Sequence, residues 1–178
     1  MPAMKTRNLA LLLAFSLLAP SAFAQKLPPV SPAATLDGVI ADKEYALTIP
    51  LDKLTLHASR TADTLFVAVQ AESSGWVAFG VGSAKMDNAW IYIGYLEGEQ
   101  AVFAAERGAG KGHKEAADAP KVQCRLGERD GRTVLELSFP AADVIAAGQS
   151  ELACIVAYGK GDDLKSYHAL RRSVRLSL

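Results

Sequence analysis

Apolar and polar residues alternate with a period of two over most of the chain. Leu54, Leu56 and Ala58 form one such run, Leu65, Val67, Val69 and Ala71 a second, and Val77, Phe79 and Val81 a third. Successive side chains of a strand point to opposite faces, so each run predicts a strand with one face in a core. Residues 89–95 are β-branched and aromatic, as strands prefer, and further strand-like runs occupy 101–106, 122–127, 133–139, 151–158 and 172–178. Asp130-Gly131 between two of them is hairpin chemistry and predicts an antiparallel pair. Residues 140–147 have the composition of one short helix, stopped by Gly148. With roughly nine or ten short strands, no repeat and no βαβ alternation, the pattern predicts an all-β chain folded as an antiparallel β-sandwich with at most one short helix.

Within this pattern, residues 75–95 stand out. Val77, Phe79 and Val81 alternate with Ala78, Gly80 and Gly82, and a face of small residues lets another backbone or a flat ligand approach closely. Met86 follows in the polar break Lys85-Met86-Asp87-Asn88, where a core argument does not place an apolar side chain. His57 falls on the alternate face of its strand and is expected in solvent. Gly108, Gly110 and Gly112 open a stretch to Pro120 that reads as a long, mobile loop.

Residues 1–24 are set apart by Lys5 and Arg7, an apolar run over 9–19 and Ala22-Phe23-Ala24, the arrangement of a cleaved secretory signal peptide. The run is too short to span a bilayer and no Cys follows it, so a soluble exported protein is expected, in the periplasm or secreted beyond it. Residues 25–35, with Pro28, Pro29 and Pro32, are expected to form an extended, partly mobile leader, and residues 36–178 one domain. Without Lys5 and Arg7, 17 basic residues face 19 acidic ones, a balance that argues against a nucleic-acid partner or an anionic membrane surface. Cys124 and Cys154 each share an apolar strand face and are expected to point inward; export makes a bridge between them possible, worth ~2–4 kcal/mol if their strands face each other.

Enzyme signatures are missing: the chain has no H-E-x-x-H, Cys-x-x-Cys or G-x-S-x-G. Gly108-Ala109-Gly110-Lys111-Gly112 opens no predicted helix and so does not read as a phosphate loop. Asp162-Asp163 reads as a solvated turn. What remains is a set of soft and imidazole donors: Met86, His57, His113 and His168. Composition alone accounts for Met86 as a gap filler at the end of a sandwich and for the histidines as surface residues. A Met and a His are also the pair that holds haem iron in electron-transfer cytochromes.

Residues 75–82 (Gly-Trp-Val-Ala-Phe-Gly-Val-Gly), Met86 and residues 89–95 (Ala-Trp-Ile-Tyr-Ile-Gly-Tyr) resemble the central motif of the DOMON domain family. Residues 157–176, with Ala157-Tyr158-Gly159, Asp162-Asp163 and Tyr167-His168-Ala169-Leu170-Arg171, resemble that family's closing motif. The resemblance implies an Ig-like β-sandwich that binds haem b or a sugar. Matched residue by residue, it implies Met86 and His168 as axial iron ligands, with His113 as an alternative ligand or rim residue. Trp90 departs from the acidic residue of many members, and Arg172 from a frequent Gly. On this reading Trp90 and Tyr92 pack on the macrocycle, Arg171 or Lys85 pairs with a propionate, and the protein is a non-enzymatic electron carrier that meets a periplasmic redox partner by diffusion. The alternative is a haem-free module for a sugar or other small ligand, with Trp76, Trp90 and Tyr92 as stacking platforms and Asp87, Asn88 and His168 as polar contacts.

Overall fold

A computed structural model describes residues 25–28 and 31–178, which form two packed β-sheets. The larger sheet has seven strands. In spatial order they are β1 (Gln25–Lys26), β12 (Leu170–Ser177), β11 (Glu151–Tyr158), β5 (Val77–Val81), β6 (Trp90–Glu97), β7 (Gln100–Ala109) and β8 (Gly112–Glu115). The smaller sheet has five strands, β2 (Leu47–Leu51), β3 (Leu54–Arg60), β4 (Thr64–Ala71), β10 (Arg132–Pro140) and β9 (Gln123–Arg129). All pairings are antiparallel except the short one between β1 and β12. The single helix among the described residues, α1 (Ala141–Val144), is shorter than the sequence predicts.

The period-two runs decide the inner faces. Leu65, Val67 and Val69 from β4 meet Val77, Phe79 and Val81 from β5 and Leu152, Cys154 and Val156 from β11 in one core. Phe139 centres it, edge-on to Tyr92 with ring centroids 4.9 Å apart. Asp130 (φ 52°) and Gly131 (φ 70°) make the predicted tight turn between β9 and β10.

Several expectations are corrected. The leader is anchored: Leu27 is fully buried and donates its N–H to the Ser177 carbonyl, while Ser31 and Arg60 exchange hydrogen bonds. His57 is buried, because residues 34–45 cross the outer face of the small sheet and bring Tyr45 against its ring. That crossing is tied down by Glu136, whose carboxylate accepts from Tyr45 Oη (2.7 Å), Gly38 N (2.7 Å) and Asp37 N (3.0 Å). Cys124 and Cys154 both pack on the core and are free thiols, not a bridge. The predicted long loop from Gly108 contains the β7–β8 hairpin, which pairs Gly108 with His113 and Ala109 with Gly112. Residues 1–24, where the signal peptide is expected, lie outside the described residues; among the latter no helix is long and apolar enough to cross a membrane.

Candidate functional site

The outer face of the large sheet carries a groove of about 770 Å³. Ala78 and Gly80 of β5, Ile91 and Ile93 of β6, and Ile155 and Ala157 of β11 form its floor. These are the residues that alternate with the core positions of the same strands, so the small-residue face of β5 is the face turned to the groove. Gly80 leaves room for its neighbour: a Cβ there would stand 2.4 Å from Ile155 Cγ1, so the isoleucine side chain lies across the glycine. The floor is therefore apolar.

Three loops raise the walls, each pinned by backbone hydrogen bonds. Met86 sits in the connection from β5 to β6, which turns when Ala89 N donates to the Met86 carbonyl. The turn is docked on β7 by Asn88 N to Gly108 O and Gly108 N to Ala89 O. A Cβ on Gly108 would stand 1.6 Å from the Met86 carbonyl oxygen, so only glycine permits this approach. The tip of the β7–β8 hairpin forms the second wall and is drawn to the first by Asp87 Oδ1, which accepts from Gly110 N at 2.8 Å. His113, on this wall, is held at Nδ1 by the Glu106 carboxylate, which leaves Nε2 as its available nitrogen.

The third wall is residues 159–169. Trp76 Nε1 donates to Ser166 Oγ at 2.8 Å, Gly159 N donates to the Trp76 carbonyl, and a Cβ on Gly159 would stand 2.1 Å from the indole nitrogen. The Asp163 carboxylate accepts from Lys165 N, which makes it a turn residue, as the sequence predicts. This wall presents His168, half-buried, to the groove. Burial, and then the nearby Arg171 cation, hold the His168 pKa below the usual histidine value, so the ring is neutral at pH 7 and has a lone pair to offer.

Of the residues singled out in the sequence, Met86, His168, His113, Lys85 and Arg171 all border this one groove. Trp90 and Tyr92 do not. Both point to the other side of β6: Tyr92 is fully buried among the core rings with its hydroxyl on the Pro120 carbonyl, and Trp90 lies under the Arg107 guanidinium. Period-two alternation from Ile91 and Ile93 gives this result, and neither ring faces the groove, contrary to expectation. Gly82 ends β5 at φ 89° and is not part of the floor.

Sequence reasoning missed Lys111, Lys165, Ser166 and Tyr167, which also border the groove. Lys111 was hidden by the glycines around it, and the others sit in a polar loop whose only signal is its place beside His168. Lys85, Lys111, Lys165 and Arg171 make no ion pair among the described residues. The lone carboxylate among the lining residues is Asp87, already engaged by Gly110. An apolar floor under a cationic rim suits a ligand with a flat apolar body and anionic ends. A thioether and a neutral imidazole on the walls supply the donor set of a low-spin haem iron.

No family model matches the sequence, and no curated protein is similar to it. Solved structures are similar in fold. The cytochrome b domain of pyranose dehydrogenase from Coprinopsis cinerea superimposes with a TM-score of 0.54 at 13% identity, covering 70% of this chain and 76% of that one. The cytochrome domain of Myriococcum thermophilum cellobiose dehydrogenase gives 0.55 at 9% identity, covering 74% and 81%. A family 9 carbohydrate-binding module from Caldicellulosiruptor kristjanssonii, in complex with cellotriose, gives 0.54 at 6% identity, covering 86% and 93%. The chain thus has a DOMON-like β-sandwich fold.

Proposed function

We propose that this protein binds haem b in the groove on the large sheet and serves as an exported, non-enzymatic electron carrier. The observation that carries the reading is the convergence of Met86 and His168 on one groove with an apolar floor and an unpaired cationic rim. Met86 Sδ and a neutral His168 nitrogen would hold the iron, and Lys85 and Arg171 would pair with the carboxylates of the bound group. When bound, haem b would supply a one-electron couple. The protein's own part is to keep His168 unprotonated, hold Met86 through the Gly108 approach and exclude water from the floor.

The sugar-binding reading is supported by the likeness to the cellotriose-bound module, but two of its three expected stacking platforms do not border the groove. Trp90 and Tyr92 face inward, and Trp76 is 4% exposed with its indole nitrogen already bonded. A neutral sugar also leaves four cations without partners.

Titration of the purified protein with haemin tests the proposal. The expected product is six-coordinate and low-spin on reduction, and Met86→Ala and His168→Ala each abolish that spectrum while His113→Ala retains it. A spectrum lost with His113→Ala instead moves the ligand role to the Glu106-held imidazole. A haemin Soret band left unshifted by the protein, meaning no uptake, returns the groove to the sugar reading.

A further inference from the structure

Tyr167 is 86% exposed, far more than any other large aromatic among the described residues. Its ring stacks on that of His168, with centroids 4.5 Å apart and planes 22° from parallel. It lines the groove with Lys85, Lys111 and Lys165, which come from three different loops, and Arg171, which comes from β12. The whole chain carries 19 basic and 19 acidic residues, so this uncompensated rim is a local segregation of charge.

Two independent features therefore mark the mouth as a place of contact. An exposed tyrosine with an arginine close by has the composition of an interface anchor, since Tyr and Arg are enriched at interface hot spots and Tyr buries large area with little lost freedom. A ring of unpaired cations accelerates encounter with an anionic surface and orients it. We infer that the groove mouth is the docking surface for an acidic redox protein, with Tyr167 as its central anchor and Lys111 and Lys165, the two cations that the bound group leaves free, as its rim. The inference rests on the haem reading for the partner's redox character. It adds a route: a partner seated on Tyr167 touches a ring in van der Waals reach of His168, the proposed axial ligand. The patch is small and the cations are separate side chains, which suits a transient, salt-sensitive encounter of the kind carriers use.

The test uses a plant-type [2Fe–2S] ferredoxin, an acidic one-electron carrier, as the probe. Its association with the purified protein, with and without haemin, is followed by fluorescence anisotropy, and haem uptake is read separately from the Soret band. Association should weaken about tenfold or more between roughly 20 and 300 mM salt. The double reversal Lys111→Glu with Lys165→Glu should abolish it. Arg129→Glu with Arg132→Glu, the same change in net charge on the far hairpin, should leave it within about twofold. Tyr167→Ala should weaken it about tenfold while Tyr167→Phe retains it.

In the haemin-loaded protein, the rate of reduction by reduced ferredoxin should follow the same order of variants. Association that ignores salt and responds equally to both double reversals overturns the proposal. So does a protein that binds phosphatidylglycerol vesicles through Lys111 and Lys165 but not ferredoxin. Intact association without haem uptake refutes the haem reading and leaves the docking surface standing.

Discussion

Trp76 Nε1 donates a 2.8 Å hydrogen bond to Ser166 Oγ across 90 positions of sequence, and so fixes the loop that presents His168 to the strand that floors the groove. The indole is nearly buried, with Gly159 against its pyrrole edge, so the bond is shielded from competing water. Ser166→Ala should therefore lower stability by about 1 kcal/mol and weaken haemin binding several-fold without changing the ligand set. Trp76→Ala should cost about 3–5 kcal/mol. Urea unfolding and haemin titration of the two variants check both values. Equal binding by Ser166→Ala and the unchanged protein would show that the loop holds itself.

Gly108 makes a sharper test of the Met86 wall. Adding a methyl group drives it into the Met86 carbonyl, so Gly108→Ala should destabilise by about 1–3 kcal/mol and impair low-spin haem formation. At Gly112 no atom lies within 4 Å of an added Cβ, and Gly112→Ala should be nearly silent in both measurements. Similar behaviour of the two variants would mean that the Met86 turn is not held by its contact with β7.

The cysteines should titrate as two free thiols per chain after denaturation without reductant. In the native protein both should react slowly with iodoacetamide. Burial pushes the Cys124 thiol up to about 12 and raises that of Cys154 as well, and the thiolate is the reactive form. One equivalent or less of thiol after denaturation would reinstate the bridge.

The small sheet holds two buried groups whose pH effects oppose each other. Burial holds His57 below its ordinary value of 6.5, so the unfolded chain binds the extra proton first. Its contribution is complete above pH 6.5 and is lost as pH falls from there through the lowered pKa. Burial raises Glu136 above its ordinary 4.5 despite three donors, so the folded chain binds that proton first and acidification through this window favours folding. Replacing His57 by Phe should flatten the loss of stability below about pH 6.5 in urea unfolding, leaving the opposite slope due to Glu136. Glu136→Ala should cost on the order of 3 kcal/mol, because three donors lose their acceptor. An unchanged acid slope after His57→Phe would assign that slope to another group.

Most of the strands, their inner faces and the β9–β10 turn were legible in the sequence, because period-two alternation and Asp-Gly chemistry are local properties that each segment carries alone; β1 and β8, which lack that alternation, were not. The groove floor was legible in the same way, since Ala78 and Gly80 are the positions that Val77, Phe79 and Val81 leave on the other face. Resemblance supplied Met86 and His168 as a pair. The fold alone shows that these two, with Lys85, Lys111, His113, Lys165 and Arg171, surround one groove, because loop walls are assembled from hydrogen bonds between distant segments. It also decided against Trp90 and Tyr92, whose aromatic character suits a ligand and a core equally well until the second sheet covers one face. His57 was misread for the same reason: nothing in an alternating strand says that residues 34–45 will cross its polar face and exclude the water.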